Sequence, residues 1–99
     1  MSTLFDLART ATVLPSKQQR ALVALAQLGE TDAVEALVES NVRLAINVAR
    51  KNQRNGILLD DLAAIAVGSI LDSIRTFDAD KGRAFSTHAR QRMVADVQA

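Results

Sequence analysis

Cysteine is absent from the 99-residue chain, which excludes a disulfide framework and thiolate metal sites and suits a reducing, cytoplasmic location. Tryptophan and tyrosine are absent too, so three phenylalanines and His88 are the only aromatic rings. A lone histidine, no Gly-rich phosphate loop and no cluster at metal-ligand spacing give chemistry nothing to work with. No enzyme, metal or cofactor is therefore expected. Apolar runs fall far short of a membrane span, and residues 1–14 carry Asp6 without a basic n-region, so neither a membrane helix nor a signal peptide is expected.

What the chain has is helical periodicity, with no competing strand pattern. The spacing predicts an all-α fold, a compact bundle of about five helices in one domain. Ser2 or Thr3 should cap a short helix to about residue 10, with Leu4, Phe5, Leu7 and Ala8 as its apolar side. Ser16 and Gln19 resemble a capping box ahead of a helix over 17–28, stopped by Gly29. Thr31 starts the next helix, whose stripe of Val34, Leu37, Val38, Asn41, Leu44, Ala45 and Val48 runs to about residue 53 before Asn55-Gly56. Asn41 is the polar member of that stripe. It must bond a nearby helix or loop backbone, or sit half-exposed at the edge.

The organising stretch is residues 59–87. Leu59, Leu62, Ala63, Ala66, Ile70, Ile74 and Phe77 form one stripe of a helix capped near Asp60. At 100° per residue, Ala64, Ile65, Gly68 and Leu71 fall on the opposite face among Asp61, Asp72 and Arg75. Such a helix is either covered all round by its own chain or keeps its second face for another protein. Gly68 costs about 1 kcal/mol of helix propensity against Ala, an expense usually explained by close approach of another backbone. After a loop at 78–82, Phe85, Ala89, Met93 and Val97 face inward on a last helix, leaving His88, Arg90, Gln91 and Arg92 for solvent or a ligand.

Net charge is only +1, but its distribution is segregated. Glu30, Asp32, Glu35 and Glu39 are followed by Arg43, Arg50, Lys51 and Arg54. Five aspartates between 60 and 80 precede Lys81, Arg83, Arg90 and Arg92, with no acid among these until Asp96. A nearly neutral chain can thus offer a basic face to phosphates, although any one block is also what a solvated helix face looks like.

Residues 36–87, with LVESNVRLAINVAR and then DDLAAIAVGSILDSIRTFDADKGRAFSTHA, resemble region 2 of the bacterial sigma-70 family. From about Leu14 the chain is similar to the helix that leads into it. Leu37, Val38, Glu39, Asn41, Arg43, Leu44, Asp61, Leu62, Phe77, Asp78, Lys81, Gly82, Phe85, Ser86, Thr87 and Ala89 fit the family pattern without a gap. The resemblance implies a sigma region 2-like domain over 1–99: a lead-in helix at 14–35, core and polymerase-docking helices at 36–78, and a basic promoter-facing helix at 79–99. It implies that Asp61, Ala64, Ile65, Gly68, Leu71 and Asp72 meet the clamp helices of the RNA polymerase largest subunit. Lys81, Arg83, His88, Arg90, Gln91 and Arg92 would meet promoter DNA at the −10 element.

The chain departs from the family where Ala64-Ile65 replaces the common Gln-Glu, which makes the docking face more apolar. His88 replaces a Tyr, and Gln91-Arg92 replaces the Trp-Trp pair with which primary members open DNA. Base stacking on such rings is worth about 1 to 3 kcal/mol per base, so autonomous melting is weakened. The first expectation is a minimal sigma-like initiation factor of phage or mobile-element type that binds core RNA polymerase and promoter DNA, with a second chain supplying upstream recognition or this chain being a fragment. The alternatives are a regulator that occupies the polymerase's sigma site without reading DNA, and a structural domain that forms a homodimer through Ala64, Ile65, Gly68 and Leu71.

Overall fold

The computed structural model describes residues 4–99, so the expected cap at Ser2 or Thr3 lies outside the described residues. Five α-helices follow one another: α1 (Leu4–Thr10), α2 (Ser16–Gln27), α3 (Thr31–Lys51), α4 (Leu59–Thr76) and α5 (Phe85–Gln98), with a 3-10 turn at Ala79–Lys81. Among the described residues there is no strand, and no helix is long and apolar enough to cross a membrane.

The hub is α3, which touches the other four helices. Its buried surface is wider than its predicted stripe: Val42, Ile46 and Ala49 are buried too, and α1 packs along the side that holds Arg43 and Ile46. Small side chains at Ala33, Ala45 and Ala49, all buried, allow the neighbours to come close. Asn41 is 1% exposed, which excludes the half-exposed alternative. Its amide donates to Leu37 O within its own helix (2.8 Å) and to Gln19 Oε1 on α2 (3.0 Å).

That bond changes the start of α2. The capping box does not form: Pro15 is the N-cap without a side-chain bond, and Gln19 Nε2 reaches past it to Leu14 O at 2.8 Å. Gln19 is buried between that carbonyl and Asn41, so tertiary partners outcompete the local motif. Asp60 does not cap α4 either; Leu58 is the N-cap, and Asp60 and Asp61 lie in the first turn, where carboxylates suit the helix dipole. Gly29, at φ +97°, supplies the left-handed turn after α2.

Helix C-termini are closed by side chains from elsewhere in the chain. Arg43 Nε donates to Ala8 O at the end of α1 (2.7 Å), and Arg54 to Val97 O near the end of α5 (3.2 Å). Gln27 Nε2 reaches both Ile74 O (2.9 Å) and Phe77 O (3.0 Å) at the end of α4. Such donors satisfy carbonyls that the helix leaves unpaired.

Candidate functional site

Helix α4 packs between α3 and α5, and its inner side carries Leu62, Ala63, Ala66, Ile70 and Ile74. Leu59 is only half-buried, whereas Ser69 and Ser73, absent from the predicted stripe, are fully inside. Periodicity of apolar residues does not find them, and their burial is made possible by acceptors within reach of each hydroxyl. Ser73 Oγ donates to Ser69 O (2.7 Å), and Ser69 Oγ lies 3.0 Å from Ile65 O.

The outer side of α4 is open. Ala64, Ile65, Gly68 and Leu71 are all exposed, with Ile65 at 45% and Leu71 at 48%. A Cβ added at Gly68 would meet nothing within 4 Å, so the expected close approach of a backbone does not occur within this chain. Leu58, seven residues ahead of Ile65, is also exposed and was not singled out in the sequence. Asp60 and Asp61 stand exposed at one end of this face; toward the other, Asp72 Oδ1 accepts from Arg75 at 2.7 Å.

Helix α5 turns its expected stripe inward: Phe85, Ala89, Met93 and Val97 are buried. Gly82, at φ +77°, ends the 3-10 turn and lets the chain swing into α5; Arg20 NH2 on α2 holds that turn through Ala79 O (2.8 Å). Lys81, Arg83, Arg90, Gln91 and Arg92 are exposed. Arg83 donates to Gln91 Oε1, which links two of them across the outer surface. The side chains of Lys81 and Arg90 make no hydrogen bond or ion pair among the described residues.

His88 is half-buried beside α4, with Nε2 2.9 Å from Thr76 Oγ1 and its ring 5.6 Å from that of Phe77. Burial, then the positive charges of Arg83, Arg92 and Lys81, lower its pKa below the ordinary value near 6.5, against a contact with the Ser73 backbone that raises it. At neutral pH it is therefore an uncharged ring. Thr76, Phe77, Asp78, Lys81, Arg83 and His88 line a cleft of about 50 Å³.

Arg92 faces α4 as well. Its guanidinium bonds Asp96 Oδ2 (3.0 Å) and lies 3.6 Å from Asp72 Oδ2. Asp96 in turn lies 2.6 Å from Ser69 Oγ. The Ser69 hydroxyl and then Arg92 hold the Asp96 carboxyl below its ordinary pKa, against the effect of its partial burial.

A second basic concavity lies between α1 and α3, where Phe5, Arg9, Arg43, Asn47 and Arg50 line a groove of about 340 Å³. Arg43, Asn47 and Arg50 follow a helical spacing that the sequence displays, but the contribution of α1 needs the tertiary fold. Arg50 sits over the Phe5 ring at 5.9 Å, a cation–π contact.

Comparison with known proteins agrees with this architecture. The family description Sigma-70 region 2 matches residues 37–97. A Bacillus thuringiensis subsp. kurstaki protein with a provisional RNA polymerase sigma-G factor name is 31% identical over 86 residues, covering 87% of this chain and 69% of that one. The RNA polymerase sigma-G factor of Clostridium acetobutylicum is 29% identical over 86 residues, covering 87% of this chain and 34% of that protein. The RNA polymerase sigma factor SigA of Listeria monocytogenes is 30% identical over 77 residues, covering 78% of this chain and 21% of that protein. The chain thus spans a minor part of the length of the latter two relatives.

Proposed function

We propose, for a chain that belongs to the sigma-70 family through its region 2, that it docks on core RNA polymerase by the outer face of α4 and meets promoter −10 DNA by the outer face of α5. The observation that carries the docking half is the uncovered set Ala64, Ile65, Gly68 and Leu71 on a helix whose other sides are packed. Gly68 has no role inside the chain that a larger residue would spoil, and a bare backbone there admits a partner helix at short range. Covering the exposed halves of Ile65 and Leu71 contributes roughly 1 kcal/mol each. That is too little for tight binding by itself, so the acidic residues Asp60 and Asp61 complete the fit against a basic rim on the partner.

For DNA, Lys81, Arg83 and Arg90 supply cations and Gln91 a side chain able to read a base edge. His88, uncharged at neutral pH, contributes a ring rather than a phosphate contact. With no Trp or Tyr in the chain, strand opening draws on the polymerase more than on wedging side chains.

Promoter protection and in vitro transcription with core polymerase test this reading. The expected result is a footprint over the −10 element that charge reversal at Arg90 erases. Capture of polymerase without any footprint contradicts the DNA half and assigns the chain instead to occupying the sigma site as a regulator.

A further inference from the structure

The two faces of the proposed function meet along a line of polar contacts between α4 and α5. His88, Arg92 and Asp96 recur every four residues on α5, and their partners on α4 run the opposite way: Thr76 (2.9 Å), Asp72 (3.6 Å) and Ser69 (2.6 Å). This seam lies about 100° around α5 from the buried stripe of Phe85, Ala89, Met93 and Val97. Apolar contact along that stripe tolerates a helix sliding by a fraction of a turn. Paired polar groups do not, because a shift leaves donors and carboxylates unmatched.

The seam also separates cations that the sequence groups together. Arg90 and Arg92 stand about 160° apart around α5, so a surface that meets one squarely does not meet the other. Arg90 has no ion-pair partner among the described residues, whereas Arg92 lies between two carboxylates, Asp72 and Asp96. Moving Arg92 to a phosphate would leave Asp96 with Ser69 alone.

We infer that this seam sets the register of the DNA-facing helix against the polymerase-facing helix, and that Arg92 is a positioning residue within it rather than a phosphate contact. The inference rests on the function proposed above. It adds that the angle between the two binding faces is fixed by charge pairs on the chain itself.

The salt dependence of promoter binding by the polymerase-bound chain separates the two roles, because each phosphate neutralised adds a fixed increment to the slope. Over a salt range narrow enough that screening of the Arg92 pairs hardly changes, Arg92→Met should weaken binding about threefold, the size of an exposed pair's contribution, and leave the slope nearly unchanged. Arg90→Met should lower the slope by about 0.7 to 0.9. Asp96→Ala should reproduce the parallel shift of Arg92→Met and add nothing to it in the double variant, with thermal melts confirming that each variant is folded. A slope reduced by Arg92→Met as by Arg90→Met overturns the inference and leaves the proposed function standing. Unchanged affinity in Arg92→Met, or additive shifts in the double variant, also overturns it. Failure of the unmodified chain to bring polymerase to promoter DNA at any salt removes the function and the inference together.

Discussion

The two basic blocks of the chain look alike in sequence and behave differently in the fold. In the first, Arg43 and Arg54 each donate to a backbone carbonyl near the end of another helix, and Arg50 lies on the Phe5 ring. In the second, Arg92 belongs to a seam between helices and Arg83 bonds Gln91, while Lys81 and Arg90 extend from the surface without a hydrogen bond or ion pair among the described residues. A run of positive charge is therefore not yet a binding face. What matters is whether carbonyls and carboxylates of the same chain already hold each guanidinium.

This contrast predicts a ranking of stability effects. Arg43→Met should be the most damaging, lowering unfolding free energy by about 1 to 2 kcal/mol, because it uncovers the end of α1 and loosens that helix from α3. Chemical denaturation measures it, and a change as small as that of a surface cation would break the comparison. Arg54→Met should cost about 0.5 to 1 kcal/mol, since its bond to Val97 O is longer and lies at a helix end that frays. Arg90→Met should stay within about 0.5 kcal/mol of the unmodified chain in the same assay.

His88 sharpens the comparison through pH. Its pKa in the folded chain is lowered, so on acidification the unfolded chain takes up the proton first. This contribution to stability is fully present above the ordinary imidazole value near 6.5 and declines as pH falls through the lowered folded value. Asp96, also lowered, stays ionised across that window and acts only at more acid pH, where its own contribution is lost as pH falls through its folded value. Thermal melts at pH 7.5 and about 5.5 should differ, and His88→Gln should reduce the difference. An equal difference in both proteins would show that His88 is not the group responsible.

Much of the fold was legible where burial follows helical period. The α5 stripe is buried as spaced, and the outer residues of α4 emerge exposed because no other helix reaches them. What stayed hidden depended on partners distant in sequence. Gln19 abandons a local cap for Asn41, Ser69 meets Asp96 across two helices, and Arg92 finds acids on both sides. The central position of α3 was hidden for the same reason, since it depends on contacts with all four other helices that no local pattern records. In the candidate site, the second apolar face of α4 is written in spacing, whereas its exposure and the cations that remain available are decided only by packing.

The proposed function depends most on the outer face of α4 as a docking surface for polymerase. Affinity of the chain for core RNA polymerase, compared between the unmodified protein and Ile65→Arg, tests it directly, because nearly half of the Ile65 surface is free of this chain and a cation there opposes the basic rim proposed for the partner. An arginine placed there should weaken binding at least about tenfold while the thermal melt shows that the chain remains folded. Equal affinity of the two proteins would contradict the account.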